Sequence, residues 1–172
     1  MTTILAIDPG PKVCGWVAMK DGRLVDPERE GWAMATWAGV LPTDEMLDRV
    51  RMWHGEARLG GIPFLDHIVI ETIEPWGGFT GPPALETMRT VGRLEGSAHP
   101  TPVTLLKRSD VLRALGVRVP AGQAKAAVRA ALIERWGGGD PRRKDHPLYT
   151  VTSHAWSALA VAVTFTDTGG EP

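Results

Sequence analysis

The chain has a single cysteine, Cys14, among its 172 residues. It can therefore form no internal disulfide and no cysteine-based zinc site. No apolar run approaches the ~20 residues of a membrane span. The start, Met-Thr-Thr, lacks the basic stretch and long apolar core of a secretory signal. Together these absences give the expectation of a cytoplasmic protein that does not engage a membrane. There is one tyrosine against seven tryptophans. Most of the tryptophans are expected in the core or in a dimer interface, and an exposed one could stack on a base. The apolar fraction of 43% and charged fraction of 23% suit a soluble globular chain. The length suits one domain with a real core, taken here as residues 1–166 with a loose tail over 167–172. There is no internal repeat and no low-complexity segment.

The net charge of −1 conceals an asymmetry. Residues 1–106 carry 9 basic and 14 acidic side chains, and residues 107–144 carry 10 basic and 3 acidic. An acidic half suits a metal, and a basic stretch suits a polyanion or is simply a solvated helix face.

Two short apolar runs each end in a carboxylate. Ile4-Leu5-Ala6-Ile7 runs into Asp8, followed at once by Pro9-Gly10, and His67-Ile68-Val69-Ile70 runs into Glu71. Such runs before turn signals read as buried strands. A carboxylate at the tip of a buried strand is costly unless a cation neutralises it. Two of them suggest a shared cation site. Taken singly, each acid reads equally well as a turn cap or an arginine partner.

Val13–Lys20 reads as a second strand, and Asp21-Gly22 is a hairpin signal. A third strand follows, at Arg23-Leu24-Val25 or resuming over Gly31–Trp37. Thr43-Asp44-Glu45 opens a helix that ends near Gly60-Gly61. After the strand to Glu71, a Pro/Gly/aromatic loop spans Pro75–Pro83, with a helix from Ala84 to about Ala98. A fifth strand covers Pro102–Leu106, and Ser109 can cap a short helix over Asp110–Leu115. Gln123–Trp136 is helical and closed by Gly137-Gly138-Gly139. Ser153 is expected to cap a last apolar helix running to about Phe165. The order predicts an α/β fold. Its mixed five-stranded sheet has three antiparallel strands, then parallel ones joined by crossovers, with helices on its faces.

These residues resemble a known family. The opening Ile4-Leu5-Ala6-Ile7-Asp8-Pro9-Gly10 with Gly15-Trp16 is similar to the first motif of RuvC-type Holliday junction resolvases, which are ribonuclease H-like endonucleases. Ile70-Glu71 is similar to their second acidic strand end, and Thr90–Gly96 to the helix that follows it. Gly122–Val128 resembles their Gly-x-x-Lys-x-x-Val stretch. Ser157–Ala162 resembles a C-terminal helix that normally reads Asp-Ala-Leu-Ala. The resemblance spans about residues 4–165. It departs at the last helix, where His154 and Ser157 stand in place of an acidic pair. It departs again at Glu74, where the family often has an aromatic residue. Trp76 or Phe79 in the next loop could substitute for that residue. The departures suggest a diverged, phage-borne branch.

The resemblance implies a metal-dependent endonuclease that resolves four-way DNA junctions as a homodimer, with two magnesium or manganese ions in each site. Asp8, Glu71 and His154 would be ligands. Lys125 would be a catalytic contact to the phosphate. Ser157 or Glu74 would support metal-bound water. Magnesium takes oxygen ligands, and manganese tolerates imidazole better. Lys107, Arg108, Lys125, Arg129, Arg142, Arg143 and Lys144 are candidates for DNA backbone phosphates, and Trp76 and Phe79 for contacts to the junction. Without the resemblance, a histidine on an apolar helix is an ordinary core residue. Other readings are a ribonuclease H-like nuclease for flaps, forks or RNA–DNA hybrids, and a junction-binding module with a weakened site. A sugar-kinase or actin-type ATPase would need a second phosphate loop and a longer chain.

Overall fold

The computed structural model describes residues 2–25, 36–57, 65–73 and 81–170. Glu74, Trp76 and Phe79 lie outside these residues, as do the Gly60-Gly61 helix end and most of the strand expected over 31–37. Six strands form one mixed sheet: β1 Thr3–Asp8, β2 Val13–Lys20, β3 Arg23–Leu24, β4 Ala38–Pro42, β5 His67–Thr72 and β6 Val103–Lys107. β1 pairs antiparallel with β2 along its whole length and parallel with β5, which pairs parallel with β6. Asp21 and Gly22 turn the chain from β2 into β3 with φ of 49° and 73°, the left-handed pair that such a two-residue turn requires.

The third strand is divided. β3 and β4 both lie antiparallel on the edge of β2 away from β1, with Leu24 opposite Met19 and Ala38–Pro42 opposite Val17–Val13. The sheet thus has five lanes and six strands, and among the described residues the outer lane continues over Ala38–Pro42. Ala38-Gly39 and Pro42 are weak strand residues, which hid β4 in the sequence. A Cβ on Gly39 would lie only 3.0 Å from the Trp16 indole nitrogen, so the missing side chain makes room for that ring.

Among the described residues, five helices cover the two faces: α1 Thr43–Ala57, α2 Pro82–Ala98, α3 Arg108–Ala114, α4 Ala124–Arg135 and α5 Ala155–Asp167. Alternation along the strands sends side chains to opposite faces. Leu5, Ile7, Ile68 and Ile70 join a core with Met46, Leu47, Val50 and Trp53 of α1 and Val91 and Leu94 of α2. Ile4, Ala6 and Val69 join the other core with Val111, Val128, Leu132 and α5. Each fully buried aliphatic side chain contributes roughly 1.5–3 kcal/mol.

α5 is the centre of that second core. Ten of its 13 residues are buried, the behaviour expected of a helix that is apolar on all sides. It packs across β1, β2 and β5. Ser153 does not cap it. His154 occupies the N-cap position, and Ser153 has a left-handed backbone with φ 44°. The stretch expected as a loose tail is held as far as Gly170. Asp167 accepts two hydrogen bonds from Arg135, at 2.7 and 2.8 Å, and the Gly170 N–H donates to the Phe165 carbonyl at 2.9 Å. Among the described residues, no helix is long and apolar enough to cross a membrane.

Candidate active site

Strand parity sets the site. Asp8 follows Ile4 and Ala6 at even spacing, and Glu71 follows Val69, so both acids point to the α5 face. Ile7 lies opposite Ile70 in the parallel pair, which makes Asp8 and Glu71 the next residues in register. The two carboxylates therefore sit side by side at the tips of the two central strands. Glu71 is 7% exposed.

His154 reaches Asp8 from the start of α5, with Nδ1 2.9 Å from Asp8 Oδ2. A glycine makes this approach possible. A Cβ on Gly15 of β2, the residue opposite Asp8, would overlap the His154 carbonyl group. Gly15 is thus a docking notch for the start of α5. Gly10 has a similar role in the preceding turn, where an added Cβ would lie 2.5 Å from the Val13 carbonyl oxygen. The Thr43 hydroxyl donates to the Gly10 carbonyl at 3.0 Å and ties that turn to α1.

Glu71 has a cationic partner. Arg108 Nη1 lies 3.0 Å from Oε1 and 3.4 Å from Oε2. Burial, and next the negative charge of Asp8, push the Glu71 carboxyl up to about 7, while Arg108 pulls the other way. The pair is thus two acids forced together in a region where charge is poorly solvated.

Two clefts meet at this point. One, of about 640 Å³, is lined by Asp8, Glu71, Arg108, Lys125, His154 and Ser157 among others. The second, of about 350 Å³, shares Arg108, Lys125, His154 and Ser157, and adds Arg129 and Trp156. No carboxylate lines it among the described residues. The Arg129 guanidinium stacks 5.0 Å above the Trp156 ring, a cation–π contact that fixes its direction.

Five of the expected site residues, Asp8, Glu71, Lys125, His154 and Ser157, therefore come together from four elements and the turn before α5. Arg129 stands one helical turn from Lys125 in the basic cleft. Lys107 ends β6 opposite Thr72. Arg142, Arg143 and Lys144 are exposed and away from both clefts. Arg142 pairs with Asp140 at 2.9 Å and Arg143 with Asp145 at 2.8 Å. The Arg108–Glu71 pair and the Gly15 notch were not foreseen. The first depends on the parallel register that sets Leu106 opposite Glu71, which no local pattern in the sequence states.

Among the described residues, no three carboxylate, imidazole or thiol groups already converge as a cation cage. The donor chemistry nonetheless suits a hard divalent ion. Asp8 and Glu71 offer adjacent oxygen ligands whose repulsion a cation would relieve, with the imidazole of His154 beside them.

A mixed sheet with β2 antiparallel to β1, β3 and β4 antiparallel to β2, a parallel β1–β5–β6 set and flanking helices is a ribonuclease H-like fold. Two solved structures share it. Thermus thermophilus RuvC in complex with a Holliday junction substrate superposes with a TM-score of 0.57 at 18% identity, over 99% of this chain and 98% of that one. A further Thermus thermophilus RuvC structure gives a TM-score of 0.53 at 20% identity, over 98% of both chains. At this identity the likeness is one of fold. No protein-family model matches the chain, and no curated protein sequence is significantly similar to it.

Proposed function

We propose that this chain is a metal-dependent endonuclease that cuts four-way DNA junctions. The carrying observation is the Asp8–Glu71 pair, set in register beside His154 at the meeting of an acidic and a basic cleft. The fold likeness supports it, since one of the similar structures holds a Holliday junction. Asp8, Glu71 and His154 would hold magnesium or manganese, two ions in each site. When bound, such ions supply charge neutralisation at the phosphate and acidify a water. Lys125 stands where both clefts meet, placed to bind the scissile phosphate. The Ser157 hydroxyl, one turn beyond His154, can orient water and carries no charge. Arg129 and Lys107 would hold flanking phosphates.

Paired cuts in a symmetric junction need two sites, which a two-fold homodimer provides. The outer face of α2 is the candidate surface. Leu85 is 49% and Met88 42% exposed there, and Gly92 and Gly96 continue that face with open space above them. A second reading, a junction-binding module, is favoured by one observation: Arg108 already occupies Glu71.

The test is to incubate the protein and Asp8→Asn with labelled junction, flap and RNA–DNA hybrid in magnesium or manganese. The expected result is paired symmetric cuts in the junction, slowed at least ~100-fold in Asp8→Asn, with junction affinity changed less than about threefold. Cuts confined to the flap or hybrid would point to a different nuclease. Tight junction binding with no cleavage in either metal would establish the binding module.

A further inference from the structure

We propose that Arg108 is an exchangeable internal cation that couples ion binding to DNA binding. It holds Glu71 while no divalent ion is bound, and passes to a DNA phosphate in the basic cleft when an ion takes its place. The proposal rests on the reading of Asp8 and Glu71 as cation ligands, and it adds a residue that regulates that site.

Three observations carry it. First, Arg108 engages both oxygens of Glu71, at 3.0 and 3.4 Å, so the group that a divalent ion needs is already bonded to a cation. A guanidinium and a divalent ion on the same two oxygens repel each other, so the two compete. Second, Arg108 is anchored at its backbone and partly exposed at its head. Its backbone is the first residue of α3, directly after β6, whose Leu106 lies opposite Glu71. Its side chain is 30% exposed against 9% for that of Glu71. Third, Arg108 lines both clefts. Rotation of its long side chain away from Glu71 leads into a cavity with Lys125 and Arg129 on its walls and no carboxylate among the described residues. An unshielded guanidinium there has one natural partner, a phosphate, which it can grip with two parallel hydrogen bonds.

The consequence is reciprocal coupling. A phosphate that draws Arg108 away frees Glu71 for the ion, and an ion that takes Glu71 frees Arg108 for phosphate. By linkage the two effects are equal in free energy. The pair thus keeps the ion site weak until DNA arrives, which limits nuclease chemistry on an empty site.

Calcium, another hard oxygen-seeking ion, serves as the probe. Its affinity is measured by calorimetry without DNA for the parent, Arg108→Gln, Arg108→Lys and Asp8→Asn. Junction affinity is then measured by fluorescence anisotropy with and without calcium, with gels to verify that the junction stays intact. Arg108→Gln is expected to bind calcium about tenfold more tightly than the parent, the scale of one lost charged competitor. Arg108→Lys, which keeps the charge without the fork, should fall between, and provides the comparison if the glutamine variant folds poorly. In the parent, calcium should tighten junction binding by about fivefold or more, and in Arg108→Gln this gain should at least halve. Calcium binding in Arg108→Gln and Arg108→Lys no tighter than in the parent overturns the proposal. So does an undiminished gain. Asp8→Asn reports on the underlying site. If it binds calcium as the parent does, the ligand reading itself falls, whatever Arg108 does.

Discussion

The two clefts that meet at His154 are built by different means. The acidic one is made by the sheet. Asp8 and Glu71 are held by backbone ladders on strands β1 and β5, one residue beyond the last paired isoleucines, and neither acid can move far without breaking strand pairing. The basic one is made by helix surfaces, with the long side chains of Lys125 and Arg129 on α4, the second laid over the Trp156 ring of α5. A carboxylate pair that must stay close despite repulsion needs the rigid support. A cationic wall that follows a polyanion needs only roughly placed, long side chains. The difference predicts unequal responses to mutation: small changes beside the strand tips should be severe, and those on the helix wall graded.

The sharpest way to break the acidic side is to fill the notch beneath His154. Gly15→Ala adds one methyl group where the His154 carbonyl already lies. The obstacle is backbone, not a flexible side-chain end, so the start of α5 must lift or β2 must shift. Overpacking of this kind costs roughly 1–3 kcal/mol. The lift also carries His154 away from Asp8, now 2.9 Å distant. The expected outcome is a variant that folds with a melting temperature several degrees lower, at ~2–4 °C per kcal/mol for a chain of this size, and a turnover loss of about 100-fold. Thermal melts and single-turnover cleavage check both. Parent-like turnover would mean that His154 does not need its present seat.

The acidic side was largely legible in the sequence. Apolar runs ending in Asp8 and Glu71 announce strand tips, because a carboxylate is rarely tolerated there without a use. Alternation then fixes which face they share. His154 was legible only through the family resemblance, since a histidine next to Ala155-Trp156 carries no periodic signal of its own. The partner of Arg108 was not legible, because it depends on which residue of β6 stands opposite Glu71, and no local pattern states the register between β5 and β6. The divided third strand was missed for a related reason. Its pairing comes from β2, and its own residues, Ala38, Gly39 and Pro42, argue against a strand. The glycine at position 15 was visible as part of a motif, but its reason is a tertiary contact with a segment 139 residues later.

A second test separates the charge of the acidic pair from its shape. Burial and the neighbouring Asp8 push Glu71 up to about 7 from an ordinary value near 4.5. Between those two values the folded chain holds a proton that the unfolded chain has released. Stability from this group therefore falls as pH rises from about 4.5 to 7, and the penalty is complete above that. In chelated, metal-free buffer, Glu71→Gln removes the penalty while still offering an oxygen to Arg108. The variant should be more stable than the parent at pH 8 by on the order of 2 kcal/mol, and the gap should close toward pH 4.5. Denaturant titrations at several pH values measure it. A gap independent of pH would show that the carboxylate is already fully compensated by Arg108.

The smallest expected effects lie on the basic side, and they sort its cations. Arg129 stands over the Trp156 ring with no carboxylate lining its cleft among the described residues. Arg142 and Arg143 are instead paired with Asp140 and Asp145 at 2.9 and 2.8 Å on an exposed loop. Asp140 is held near 2 by its hydrogen bonds with Arg142, so that pair stays ionised at any working pH. A cation already matched by its neighbour releases little counterion when DNA arrives, whereas an unmatched one releases about one. Arg129→Ala should therefore weaken junction binding severalfold and flatten the dependence of log affinity on log salt by about 0.9. Arg142→Ala and Arg143→Ala should change the slope by much less. Lys125→Ala should flatten it similarly to Arg129→Ala but lose more turnover than affinity, because Lys125 alone of the two lysine and arginine residues on this face of α4 also borders the acidic cleft. Anisotropy titrations between about 50 and 200 mM salt resolve these differences. Equal slopes for all four variants would mean that the positive charge of residues 107–144 acts as a diffuse field, and that the cleft beside His154 does not seat the strand.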